Sequence, residues 1–162
     1  MKRLLTVLLV IAASISCNDN LQTSKTTKKA VTLDGEKVFT GICTAFGTET
    51  KEVSIYYVED EDVYYPAYYY SGEGSFDFKW DKATNKVSIQ ACYTDLYSGL
   101  YPICTLSQED YERIMGAEAE ASYYDPTTKT FTFNILYETA DDSGNRLQFT
   151  DTVKYVVDQA TE

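Results

Sequence analysis

The sequence predicts an all-β fold: an antiparallel sandwich or barrel of about seven to eight strands with one short helix. Three observations predict it. The chain carries 15 Tyr and seven Phe, the aromatic load that strands favour. Apolar residues recur at every second position in several segments, the period of a half-buried strand. Turn-forming residues interrupt those segments at short intervals, as they do in sandwiches and barrels.

The first element is not part of that fold. Met1, Lys2 and Arg3 form a short basic head, residues 4–16 are mainly apolar and small, and Cys17 follows. The apolar run is too short to span a bilayer and reads as a secretion leader over residues 1–16. With Cys17 at the cut site, this segment resembles the lipobox of bacterial lipoproteins. Ser16 meets that family's preference for a small residue before the cysteine, whereas Ser14 stands where the family prefers Leu. The resemblance implies that Cys17 becomes the mature N-terminus and is acylated. Several acyl chains then hold the protein stably at the outer membrane or cell surface, with the membrane as its partner. A lone Asp19 after the cysteine is a faint echo of acidic surface-export tags. The alternative is an ordinary cleaved leader, with Cys17 as a structural thiol. Residues 17–32 are polar and aperiodic, and read as a flexible tether with a reach of about 20 Å. Residues 33–162 are then a single β domain, long enough to bury its own core.

Within that domain, residues 38–46 are rich in β-branched and aromatic side chains. Val53, Ile55 and Tyr57 alternate as an inward set until the acid run of residues 59–62. Residues 63–70 are dense in Tyr around Pro66. Phe76, Phe78 and Trp80 alternate with polar residues, turn through residues 81–86, and return with Val87, Ile89, Ala91 and Tyr93 as a hairpin. The one helix signal runs from Ser107 to Gly116. Ser107 is a suitable N-cap, Glu109 and Asp110 occupy the first turn, Gly116 sits at the C-cap, and Tyr111, Ile114 and Met115 share a face. A second hairpin turns at Asp125-Pro126, strong turn chemistry, into Phe131, Phe133, Ile135 and Tyr137. Residues 80–89 and 124–133 share a pattern of aromatic, Asp, Thr-containing turn, Lys and alternating strand, read as one hairpin type used twice. The last strand places Leu147, Phe149, Val153, Tyr155 and Val157 on one face.

Charge and composition bound the function. The chain has 14 basic and 25 acidic side chains, and loss of Lys2 and Arg3 with the leader takes the net charge from −11 to −13. That balance disfavours nucleic acid, which needs clustered Lys and Arg. The chain contains no His, which removes the usual general base, the usual zinc ligand and His-paired nucleophiles. The sequence implies no cofactor and no metal. The acid run 59–62 and Asp141-Asp142 with Asn145 match no calcium-loop spacing and read as solvated turns. Cys43, Cys92 and Cys104 form an odd set, so at most one internal disulfide closes. Cys92 and Cys104 flank a Gly- and Pro-containing stretch and are the candidate pair, worth about 3 kcal/mol in the chain-entropy model. The alternative is three buried thiols acting as small apolar residues.

The Tyr cluster supplies the candidate binding surface. Along an extended strand Tyr64, Tyr68 and Tyr70 share one face, and Tyr65 and Tyr69 the other. Pro66 suggests an edge strand. The set containing Ala67 is the more compact and is predicted inward. Tyr64, Tyr68 and Tyr70 are then the predicted ligand-binding row, since aromatic rings stack on sugar faces. The alternative is that these rings pack in the core.

The leader with Cys17, the segment Val38-Phe39-Thr40-Gly41, the Tyr-rich residues 53–70 and the hairpin 124–133 together resemble small surface-lipoprotein domains of gut Bacteroidetes. That resemblance implies an accessory role in the cell envelope, linked with glycan capture, and carries over no catalytic residues; a partner lipoprotein is the other candidate ligand. The expected function is a non-catalytic binding or accessory module. The alternatives are a small hydrolase using paired carboxylates and a purely structural envelope protein.

Overall fold

A computed structural model of the chain describes residues 34–158. The predicted leader 1–16, Cys17, the tether 17–32, residue 33 and residues 159–162 lie outside the described residues. The strands are β1 (Glu36–Ala45), β2 (Thr48–Val58), β3 (Val63–Ala67), β4 (Phe78–Asp81), β5 (Lys86–Ile89), β6 (Cys92–Ser98), β7 (Tyr101–Thr105), β8 (Tyr123–Asp125), β9 (Thr130–Ala140) and β10 (Arg146–Val157). The helix α1 (Gln108–Met115) and a 3-10 turn (Gly116–Glu118) join β7 to β8.

All pairings between these strands are antiparallel. The ladder runs β10-β1-β2-β3-β4-β5-β8-β9, and β9 pairs again with β10. Eight strands therefore close on themselves, which decides the predicted sandwich-or-barrel alternative for a barrel. Closure leaves no open sheet faces to stack, as a sandwich would require. β9 is long enough to meet two neighbours on one side, β8 opposite residues 130–132 and β7 opposite residues 137–138. The β6–β7 hairpin extends the wall there.

The first strands show how residue chemistry sets the register. Val58 pairs with Val63 across the acid turn, so Tyr57 faces Tyr64, Tyr56 faces Tyr65 and Ile55 faces Pro66. Facing residues point to the same side, which puts Tyr64 and Pro66 inward with Ile55 and Tyr57. β3 lies between β2 and β4 and is not an edge strand. Its ladder to β4 consists of Tyr64 with Phe78, so the N–H that Pro66 lacks falls beyond that ladder. β1 and β2 are bulged: Gly41 pairs with Val53 and Cys43 with Thr50, leaving Lys51 and Glu52 opposite Ile42 alone. Gly41 is required there, because a Cβ would sit 2.1 Å from the Val156 carbonyl oxygen.

The two similar hairpins are one design. Asp81 accepts from the Ala83 N–H and the Thr84 hydroxyl, and Asp125 from the Thr127 N–H and the Thr128 hydroxyl. The fourth residue after each Asp, Asn85 and Lys129, has positive φ, and the strands close at Asp81–Lys86 and Asp125–Thr130. The helix matches its sequence signals. The Ser107 hydroxyl accepts from the Asp110 N–H, and Gly116 caps the C-terminus at φ 56°. Tyr111 packs with Leu106 and Leu136 on the outside of β9, and Ile114 and Met115 lie against them.

The Gly- and Pro-containing stretch between Cys92 and Cys104 is regular structure. It is the β6–β7 hairpin, whose alternation is broken by a register shift around Asp95, itself at positive φ. The candidate Cys92–Cys104 disulfide is not formed. Cys92 faces Thr105 and Cys104 faces Tyr93, so the two cysteines are one position out of register and point to opposite faces of the hairpin.

Aromatic rings fill the barrel. Phe76, Phe78, Phe131, Phe133, Tyr69, Tyr137 and Tyr155 are fully buried. Phe78 and Phe133 stand 4.8 Å apart, Phe76 and Phe133 5.0 Å, and Phe131 stacks on Phe133 at 5.7 Å and 2°. An eight-stranded barrel is just wide enough for such side chains to occupy its interior. Each ring pair adds roughly 0.5–1.5 kcal/mol beyond its area burial.

Candidate functional site

The barrel has two unlike ends. Strand directions gather Asp34, Asp158, the acid turn 59–62 and the two Asp-Thr turns at one end. Asp34 is held there by Tyr65, whose hydroxyl donates to the Asp34 carbonyl at 2.6 Å. The opposite end carries the β1–β2 turn, residues 68–77, the β6–β7 turn and the turn 141–145.

Toward that opposite end a groove of about 150 Å³ is cut into the outer wall, lined by residues of β2, Ala67, Tyr68 and Gly72. The β2 bulge shapes it, since two successive residues, Lys51 and Glu52, are both exposed there and Glu52 has φ 58°. Tyr56 also lines the groove and stacks on Tyr65 at 5.5 Å and 14°. The far rim is tied down by the Ser71 N–H, which donates to Thr50 Oγ1 at 2.9 Å. Tyr68 stands at the lip with φ 60° and is 40% exposed. A bulky residue in the left-handed region is uncommon and costs backbone strain.

The predicted row of Tyr64, Tyr68 and Tyr70 does not form. Tyr64 is 5% exposed and packs on Phe78, Trp80 and Tyr57 inside the barrel. Tyr68 is exposed because the chain leaves β3 after Ala67 and reverses its handedness. Tyr70 is half-buried, edge-on to Phe46 at 5.1 Å. The inward and outward sets within β3 are the reverse of the expected ones. Outward Tyr65 is itself buried, beneath Asp34 and against Tyr56. Hairpin arithmetic carries the missing signal: a four-residue turn at 59–62 pairs Tyr57 with Tyr64 and assigns both to one face. The groove residues on β2 had a weaker signal. Lys51-Glu52, two adjacent charges directly before alternating Val53 and Ile55, break the period of two as a bulge does.

Two other chemical clusters stand in the wall. Inside, Cys43, Tyr69, Tyr137 and Asp151 lie close together. The Tyr69 and Tyr137 hydroxyls are 3.2 Å apart, and Asp151 accepts from the Phe46 N–H at 2.7 Å. Burial, helped by the Asp151 charge, pushes the Cys43 thiol up to about 12. Burial also raises both phenols and Asp151 above their ordinary values. Such a thiol is protonated at neutral pH and is not a thiolate nucleophile. Outside, Glu138 is 1% exposed and is held by Gln148 Nε2 at 3.0 Å and by Arg146 Nε at 3.4 Å. It is the one fully buried acid among the described residues, and its closest charged partner is a base rather than a second carboxylate.

The Asp side chains of the turns are committed locally. Asp141 accepts from the Ser143 and Asn145 N–H groups and the Asn145 side-chain amide. These bonds hold Asp81, Asp125 and Asp141 below the usual carboxylate range.

No protein-family model, no curated protein and no solved structure matches the chain. Its class is therefore set by its own geometry: a closed antiparallel β-barrel packed with aromatic rings. What distinguishes this barrel is the bulged groove on its outer wall, beside one strained and exposed Tyr.

Proposed function

We propose that this chain is a cell-envelope lipoprotein, anchored by acyl chains on Cys17, whose barrel is a non-catalytic binding or accessory module toward glycan or a partner surface protein. The observation that carries the reading is the polarity of the barrel. The chain enters at Asp34 on one end, and the groove with Tyr68 opens toward the other. An anchor attached upstream of Asp34 leaves the Tyr68 side directed away from the membrane. The acidic turn beside Asp34 disfavours direct docking on anionic headgroups, consistent with a barrel held off by a tether. Two features of the wall support binding over catalysis: the buried Cys43 thiol is protonated, and the buried Glu138 carboxylate is ion-paired with Arg146.

Fractionation of expressing cells tests the anchor, together with mass spectrometry of the mature N-terminus. The expected result is an acylated Cys17 and a membrane-bound protein that Cys17→Ala releases. An unmodified Cys17, or a mature chain starting elsewhere, refutes the anchor.

A further inference from the structure

Resting on that reading, we propose that the groove beside Tyr68 is a subsite for one ring of a neutral saccharide. Its size sets the scale. About 150 Å³ admits a single six-membered ring with its hydroxyls and leaves the rest of a polymer outside. Protein partners need a buried patch of about 800 Å² on each side with an aromatic core. Among the described residues, the exposed large apolar side chains other than Tyr68 are Tyr93, Leu100, Tyr123 and Val156, and none of them lines the groove.

The lining chemistry sets the class. Tyr68 offers a ring at the lip for the C–H face of a sugar. Thr50, Lys51, Glu52 and Ser54 offer hydroxyl, ammonium and carboxylate groups side by side, a mixed donor and acceptor set suited to sugar hydroxyls. One charge of each sign leaves the groove without net charge, on a chain of net charge −11. That surroundings disfavours uronic, sulfated or phosphorylated polymers. The Ser71 N–H donates to Thr50 Oγ1 and ties the rim to β2, and Tyr68 at the lip has φ 60°. A single stacking ring gives weak affinity for each site, so a repeating polymer met by many copies on one membrane suits it.

The test is titration of the full chain in detergent with neutral oligosaccharides (gluco-, manno-, xylo- and galacto-oligomers) and with polygalacturonate and a sulfated glycan as acidic comparators. The proposal expects binding to at least one neutral series and none to the acidic ones. Tyr68→Ala is expected to weaken binding about two- to tenfold, while Tyr123→Ala, a change at an exposed Tyr far from the groove, leaves it unchanged. Circular dichroism confirms that both variants keep the fold. The proposal is overturned if only acidic polymers bind, if no neutral series binds, if folded Tyr68→Ala binds as the parent does, or if a purified partner protein occupies the groove instead. The outcomes separate from those of the anchor. An acylated protein that ignores neutral sugars loses the ligand class alone, and an unacylated one that binds them through Tyr68 loses the anchor alone.

Discussion

Tyr64 separates the barrel described here from one with a Tyr row on its surface. Tyr64→Ala removes a 5% exposed ring in contact with Phe78 at 5.5 Å, Trp80 at 5.9 Å and Tyr57 at 4.6 Å. Deleting a buried aromatic ring costs about 3–5 kcal/mol, from lost transfer energy and the cavity left behind. The neighbours here are rings fixed by their own contacts and collapse little, so the upper half of that range applies. For a barrel of this size the loss lowers the melting temperature by roughly 10–20 °C. Tyr64→Phe keeps the ring and costs under about 1 kcal/mol. The assay is urea unfolding followed by fluorescence of Trp80, the chain's one Trp, which touches the altered side chain. Parent-like stability of Tyr64→Ala, within about 1 kcal/mol, would refute the inward register of β3.

Three further outcomes follow from particular residues. Tyr68 has φ 60°, so Tyr68→Gly should be more stable than Tyr68→Ala by about 1 kcal/mol, the reverse of the usual order in a strand; calorimetry of the two variants measures it. Cys43, with its thiol pushed up to about 12 by burial, should resist iodoacetamide at pH 8 in the native protein and react fully after unfolding. Asp125 is held below the usual carboxylate range by the Thr127 N–H and the Thr128 hydroxyl. Its folded value lies below its unfolded one, so its contribution is present above about pH 3.9 and is lost as pH falls through the folded value. Asp125→Asn should therefore lower the melting temperature in the neutral region and flatten the acid limb, with parent and variant converging as pH falls through the folded value.

The sequence carried most of the architecture. Period-two alternation marked the inward sets of β2, β4, β5, β9 and β10, and the capping residues marked the helix. The repeated Asp-Thr turn was visible because its hydrogen bonds are local, made within four residues. The parts that failed depend on register. The face of Tyr64 is decided by pairing with Tyr57, and Pro66 is tolerated because β4 pairs beside Tyr64 and not beside it. The Cys92–Cys104 pairing looked feasible by loop length, yet a one-residue offset in the hairpin separates the thiols. The groove was the least legible feature, since it is made by a bulge on β2 meeting a left-handed turn after β3. Tyr68 was singled out, but for a strand geometry that the chain abandons at that residue.

The proposed groove lies on the outer wall of a barrel whose interior is filled by aromatic side chains. Amide chemical-shift mapping of the isotope-labelled full chain tests that placement most directly, during titration with the neutral oligosaccharide that binds best. The expected shifts fall at Lys51, Glu52, Ser54, Tyr68 and Gly72, which line the groove, with Phe131, Phe133 and Tyr137 silent. Shifts centred on those interior aromatics would contradict that placement, because they would show that the ligand enters the barrel.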